Sequence, residues 1–140
     1  SLPLPAHETT GSSGVDLRAN LIKEHRKSGL ALKVNSRLLI STGLHIEIPR
    51  GYEAQIRPRS GLALKSGVTL MNAVGTIDSD YRGVVGVMLY NAGERDFIIL
   101  HGGRIAQMVI SPVEETGFEL VESLSQTDRD IGGFGSTGNS

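Results

Sequence analysis

Two carboxylates and a phenol fall within four residues of the stretch NAVGTIDSDYRG, Asn72–Gly83. Asp78, Ser79, Asp80 and Tyr81 lie between two apolar runs, which reads as the tip of a β-hairpin. On the ordinary account, Asp78 and Asp80 make Asx-type turn bonds and Tyr81 covers a sheet edge. On the chemical account, one ionised aspartate holds a water for attack on an electrophile.

Four further stretches carry chemistry-bearing residues. In RPRSGLALK, Arg57–Lys65, Ser60 sits between Arg59 and Gly61 ahead of a helical turn expected over Gly61–Lys65, where backbone N–H groups and a guanidinium can grip phosphate oxygens. A Pro-initiated turn with a solvated Arg accounts for the same residues. GRIAQMVI, Gly103–Ile110, reads as a strand entering the core with Arg104 and Gln107 as polar exceptions, and GVDLRA, Gly14–Ala19, puts Asp16 beside an edge strand in an N-cap or turn position. The closing GGFGSTGNS interleaves Gly132, Gly133, Gly135 and Gly138 with Phe134, Ser136 and Thr137. Its glycines let backbone N–H groups approach an anion, its hydroxyls add donors, and Arg129 upstream supplies charge. No Lys and no helix follow the glycines as a Walker loop requires, and a plain flexible tail is the alternative. His7, His25, His45 and His101 show no paired metal spacing, and the basic Lys23–Lys27 stretch lacks aromatics and reads as a solvated loop.

The elements that would position these residues are strands. Leu44, Ile46 and Ile48 alternate with His45 and Glu47, as a half-buried strand requires. Short apolar runs recur at Leu30–Val34, Arg37–Ile40, Glu53–Arg57, Val68–Met71, Val84–Tyr90, Phe97–Leu100, Ile105–Val113 and Phe118–Val121, punctuated by 18 glycines. No long helical stripe interrupts them. The expected architecture is all-β, a sandwich, jelly roll or barrel.

A chain of 140 residues with 39% hydrophobic content suits one domain. With 14 Lys and Arg against 15 Asp and Glu, no overall field draws the protein to nucleic acid or an anionic membrane, and neither is an expected partner. The absence of cysteine excludes disulfides and thiolate nucleophiles and is compatible with a reducing compartment. No apolar run approaches the roughly 20 residues that span a bilayer. The chain opens at Ser1 without an initiator Met or a leader segment, so its native N-terminus is expected to lie upstream.

The order and wording of GVDLRA, RPRSGLALK, NAVGTIDSDYRG, GRIAQM and GGFGSTG resemble the five motifs of the trimeric dUTPase family, the deoxyuridine triphosphate nucleotidohydrolases, over nearly the whole chain. The resemblance implies a jelly-roll subunit in a homotrimer, with a β domain at 1–128 and a glycine-rich lid at 129–140 that closes over a neighbour's nucleotide. It implies a Mg²⁺-dependent dUTP diphosphatase that releases dUMP and pyrophosphate, limits uracil in DNA and supplies dUMP for thymidylate synthesis. A cytoplasmic location is expected, or a nuclear one in a eukaryote. By position, Asp78 would hold the attacking water as general base, and Gln107 would act at the α-phosphate. Tyr81 would lie against the deoxyribose, while Asn72 and the backbone of Gly75, Thr76, Ile77 and Gly86 read the uracil edge. Arg59, Ser60 and Gly61 would bind phosphates, and Arg129, Ser136 and Thr137 the γ-phosphate. Phe134, beside Gly135, would stack on the base. Asp16 would accept from a metal-bound water, with Mg²⁺ held mainly by phosphate oxygens.

Three positions depart from the family pattern: Val84 stands where Glu or Gln is common, Gly103 where an acid is common, and Asp130 where Gly is common. A dCTP deaminase of related fold and a nucleotide-binding regulatory trimer without turnover are the competing readings. The intact GTIDSDYRG stretch and glycine-rich end argue against the first, and Asp78 against the second.

Overall fold

The computed structural model describes residues 1–136. Among them the apolar runs become nine strands: β1 (Val15–Arg18), β2 (Leu30–Leu32), β3 (Arg37–Ser41), β4 (Tyr52–Arg57), β5 (Val68–Leu70), β6 (Gly75–Ile77), β7 (Gly86–Asn91), β8 (Phe97–Ile99) and β9 (Arg104–Pro112). One helix, α1 (Ser60–Ser66), follows β4, so the expected helical turn is present and two residues longer. The strands form a four-stranded sheet in the order β1-β9-β4-β6, a three-stranded sheet β3-β7-β5 and the pair β2-β8. The fold is the expected all-β, jelly-roll-like sandwich.

The period-2 pattern sets which side chains meet. On β7, Val87, Leu89 and Asn91 are buried while Gly86, Met88 and Tyr90 are part-exposed. Leu17, Ala54, Ile56, Ile77 and Ala106 of the four-stranded sheet join Ile40, Val68, Leu70, Val87 and Leu89 of the other in a single core cluster. Burial of that apolar surface drives the two sheets together. Asn91, wholly buried, ties the edge of this core. Its side-chain amide donates to the carbonyls of Leu32 (3.0 Å) and Arg95 (2.8 Å) and its oxygen accepts from the N–H of Gly93 (2.9 Å). Gly67 ends α1 in the left-handed conformation at φ 65°, and a Cβ there would fall 2.5 Å from the Cα of Gly93, so only glycine lets these two turns touch.

Three expectations differ from the structure. The Leu44–Ile48 segment keeps its alternation, with Ile48 buried and His45 and Glu47 exposed, yet it has no ladder partner and is tied only by single bonds such as Val85 N–H to the Leu44 carbonyl at 2.8 Å. Phe118–Val121 forms no strand. Among the described residues nothing covers Phe118 or Leu120, which are fully exposed. Residues 78–85 are not the tip of a hairpin, because β6 pairs with β4 while β7 pairs with β3 and β5; the turn is a crossover between the two sheets.

Replacing Asn91 with Ala strands the buried Leu32 carbonyl and the part-buried Arg95 carbonyl and Gly93 N–H. The expected loss is about 2–4 kcal/mol of unfolding free energy with an unchanged m-value, read by urea denaturation.

Candidate active site

The crossover between β6 and β7 is closed by the Tyr81 N–H donating to the Asp78 carbonyl at 3.2 Å. Arg82 braces it from outside, its guanidinium donating to the carbonyls of Ser79 (2.7 Å) and Tyr81 (3.0 Å). The Tyr81 hydroxyl donates to the Val84 carbonyl at 3.0 Å, and a Cβ at Gly83 would collide with that hydroxyl, so glycine there makes room for the ring. The Asx-type turn bonds of the ordinary account are absent among the described residues, where neither Asp78 nor Asp80 has a side-chain hydrogen bond or ion pair. Main-chain bonds and Arg82 shape the turn, and the exposed Asp78 carboxylate is left without a partner.

Asp78 is one of the residues lining a cleft of about 430 Å³. Thr76, Ile77 and Asp78 line one side, Tyr81 and Val84 the turn, and Leu39, Ser41 and Gly86 the strands opposite. Five residues expected at a nucleoside site therefore come together: Thr76, Ile77, Asp78, Tyr81 and Gly86. Asn72 and Gly75 stand just beyond, with the Asn72 amide nitrogen 3.4 Å from where a Gly75 Cβ would be.

A second cluster forms at the β1-β9 end of the same sheet. Asp16 lies within β1, the edge strand, rather than beside it, and faces Gln107 of β9, which in turn faces Arg57 of β4. The Asp16 carboxylate accepts from Arg59 Nε at 2.9 Å through one oxygen and from Arg104 at 3.1 Å through the other. Its side chain is 16% exposed, which strengthens both attractions over those of a surface pair. Anchoring through Nε fixes the Arg59 guanidinium while leaving its Nη2 nitrogen without a partner among the described residues. Gln107 Nε2 donates to the Pro58 carbonyl at 2.9 Å, holding the loop that leads into the exposed Ser60 and Gly61.

Strand register decides how these clusters stand to one another. Ile77 faces Ala54 of β4, so Asp78 follows at the level of Glu53, whereas Gln107 faces Arg57. Glu53 and Arg57 are four residues apart, about 13 Å at the strand rise of roughly 3.3 Å per residue. Arg59 and Ser60 lie further on. Within one chain, the carboxylate and the guanidinium cluster occupy opposite ends of β4.

The closing segment makes only local bonds among the described residues. Arg129 Nε donates to the Gly132 carbonyl at 2.8 Å, and Ser136 N–H to the Gly133 carbonyl at 3.0 Å. Phe134 and Gly135 are exposed, and Thr137 lies outside the described residues. Asp130 has φ 43°, the left-handed region that glycine enters without strain.

A family model described as dUTPase matches residues 1–138. The chain belongs to the dUTPase family. It is 58% identical over 138 residues to the deoxyuridine 5′-triphosphate nucleotidohydrolase of Roseobacter denitrificans, covering 99% of this chain and 88% of that one. Among solved structures, the dUTPase of Staphylococcus bacteriophage 80alpha with dUPNHPP superposes at a TM-score of 0.85 with 24% identity, over 99% of this chain and 93% of that one. A mutant dUTPase of phage phi11 of S. aureus, described with a structural Mg(II) ion, superposes at 0.74 with 21% identity, over 89% and 93%. At such identities these likenesses speak for the fold.

The sequence reading missed Leu39 and Ser41 as cleft residues and Arg104 as a partner of Asp16. For Leu39 a signal was present: Leu38-Leu39-Ile40 holds one more apolar residue than a single inward face can use. Arg104 gave none, since its pairing with Asp16 spans 88 residues.

Asp16→Asn removes the charge that two guanidiniums share. The expected cost is about 1–3 kcal/mol in urea denaturation, and an unchanged midpoint would show that Arg59 and Arg104 hold their places without it.

Proposed function

We propose that this chain hydrolyses dUTP to dUMP and pyrophosphate. The observation that carries the reading is the exposed Asp78 carboxylate, free of any side-chain partner among the described residues, at a cleft shared with Tyr81 in a chain of the dUTPase family. Asp78 accepts a proton from water as the water oxygen bonds to the α-phosphorus. The bond from that phosphorus to the α–β bridging oxygen breaks, and pyrophosphate leaves with the electron pair. Tyr81 lies against the deoxyribose, where a 2′-hydroxyl would collide. Asn72 and the backbone of Gly75, Thr76, Ile77 and Gly86 read the uracil edge, and a cytosine leaves a buried donor unpaired, a mismatch that can be worth a factor on the order of 10⁴.

The phosphates are bound by Arg59, Ser60, Gly61 and Gln107. The separation of about 13 Å along β4 supports a site in which these residues come from a second copy, as does the homotrimer with shared sites that the family resemblance implies. The exposed Phe118, Leu120 and Leu124 support assembly too, since a run of apolar side chains with no cover is what an interface leaves behind in an isolated subunit. Residues 129–140 then act as the lid, with Arg129, Ser136 and Thr137 on the γ-phosphate and Phe134, beside Gly135, over the base.

Mg²⁺ enters with the substrate. Among the described residues no three His, Asp or Glu side chains cluster as a metal cage, which suits an ion carried by triphosphate oxygens and water. When bound, the ion neutralises charge on the triphosphate. Asp16 keeps lone pairs beyond its two arginine contacts with which to accept from one of the ion's waters. Such an activity limits uracil in DNA and supplies dUMP for thymidylate synthesis. It places the protein in the cytoplasm, or in the nucleus of a eukaryote.

The deciding experiment offers dUTP, dCTP, dTTP and UTP with Mg²⁺ and follows pyrophosphate and ammonia. Selective pyrophosphate release from dUTP is expected, while ammonia from dCTP would identify a deaminase and sink the proposal. Asp78→Asn should bind a non-hydrolysable dUTP analogue normally while turnover falls by on the order of 10² or more; near-normal turnover would remove Asp78 from the role of base. Truncation before Arg129 should leave the fold and assembly intact with little activity, and full activity in the truncated protein would exclude a lid.

A further inference from the structure

We propose that Leu39 is a specificity-determining wall of the nucleoside cleft, packing against the pyrimidine of the bound nucleotide; this rests on the dUTP reading above. On β3 the inward side chains are Leu38 and Ile40, part-buried and buried, so Arg37, Leu39 and Ser41 point outward. Arg37 and Ser41 are ordinary surface choices. Leu39 is not: it is 70% exposed on the outer face of a sheet, and it lines the cleft that holds Asp78 and Tyr81.

Its neighbour across the ladder explains its placement. Ser41 faces Gly86 of β7 and Leu39 faces Met88, so Leu39 stands diagonal to Gly86 on the outer face. Along that face of β7, Met88 and Tyr90 carry side chains and Gly86 carries none. A Cβ on Gly86 would fall 2.9 Å from Leu39 Cδ1, which means the isobutyl group already occupies the space that a residue at 86 would otherwise fill. The glycine opens the cleft floor, and the leucine closes it from the next strand.

With Asp78 and Tyr81 committed to the sugar end, the pyrimidine lies toward Gly86; of the exposed apolar side chains lining the cleft, Val84 sits in the turn beside Tyr81, and Leu39, next to Gly86, is the one placed to meet the ring from the strand opposite. The cleft volume of about 430 Å³ falls in the range of roughly 300–1,000 Å³ usual for small-molecule sites. Covering an exposed leucine with a ring removes apolar surface from water, and this gain is made only by a ligand whose base reaches that depth. The same side chain bounds the room beside the ring, so shortening it enlarges the space open to a 5-substituent.

The test is Leu39→Ala, with Gly86→Ala and the double variant, in the full-length protein. Leu39→Ala should raise KM for dUTP roughly tenfold with kcat within about twofold, and lower the preference for dUTP over dTTP by a similar factor. Because Leu39 is exposed, the melting temperature should not move. Gly86→Ala displaces Leu39, so the double variant should fall well short of the product of the two single effects. Calorimetric titration of dUMP reads the cleft without turnover. If the wild type hydrolyses dUTP and Leu39→Ala leaves KM and dUMP affinity unchanged, the Leu39 assignment falls and the activity stands. Should the variant dissociate the assembly with unaltered dUMP affinity, Leu39 is a subunit contact and the assignment again falls. A wild type that binds dUMP without hydrolysing dUTP overturns the activity alone, and the dUMP affinity ratio then decides Leu39. A wild type that neither binds nor hydrolyses overturns both.

Discussion

Strand β4 governs the geometry of the whole site. It pairs with β6 on one side and β9 on the other, and both registers are fixed by the residues it buries, Ala54 and Ile56. A slip of one residue would turn Glu53, Gln55 and Arg57 into the core, a desolvation that no available partner could offset. The register therefore cannot drift. It holds Asp78 at one end of the strand and the Asp16, Arg59 and Gln107 cluster at the other, and no rotamer change closes a gap of that size. On the proposed roles, in which Asp78 and Gln107 both act at the α-phosphate, the nucleotide would lie across two copies of the chain.

The two ends are built by opposite electrostatic choices. At the β1-β9 end, one carboxylate accepts from two guanidiniums, so the positive charge is kept but its position is fixed. An arginine held through Nε loses little further entropy in presenting its terminal nitrogens to a phosphate, because its long side chain is already immobilised. At the crossover, Arg82 is engaged by main-chain carbonyls and by Glu47 at 3.6 Å, leaving the Asp78 carboxylate without a side-chain partner among the described residues. Fixed cations and a free carboxylate are what the proposed phosphoanhydride hydrolysis would call for, since catalysis there is mostly positioning and charge stabilisation.

What could be read from the sequence follows the range of the interactions involved. The short apolar runs Val84–Tyr90 and Ile105–Val113 give β7 and β9 to within two residues, because runs of that length bounded by turn formers mark buried strands. The cleft residues from Thr76 to Gly86 share one stretch of chain, and it is the resemblance of that stretch to a family motif that names them. The crossover reads as a hairpin because local pattern shows two strands flanking a turn and says nothing of which strands they pair with. Asp16 with Arg59 and Arg104 joins residues 43 and 88 positions apart, and only the β1-β9-β4 ladder brings them together.

The segments where pattern and structure part company share one property. Leu44–Ile48 alternates without a ladder, and Phe118–Val121 carries apolar residues without a core. Both would satisfy strand rules if a partner strand were supplied, and the described residues supply none. Backbone groups left unpaired along an extended segment, and a phenylalanine fully open to water, cost free energy that selection does not ordinarily leave uncompensated. On the proposed roles, the register of β4 supports a second copy on grounds of reach, and these segments support one on grounds of burial. The two arguments use different residues and different physics, and both support the proposed shared site.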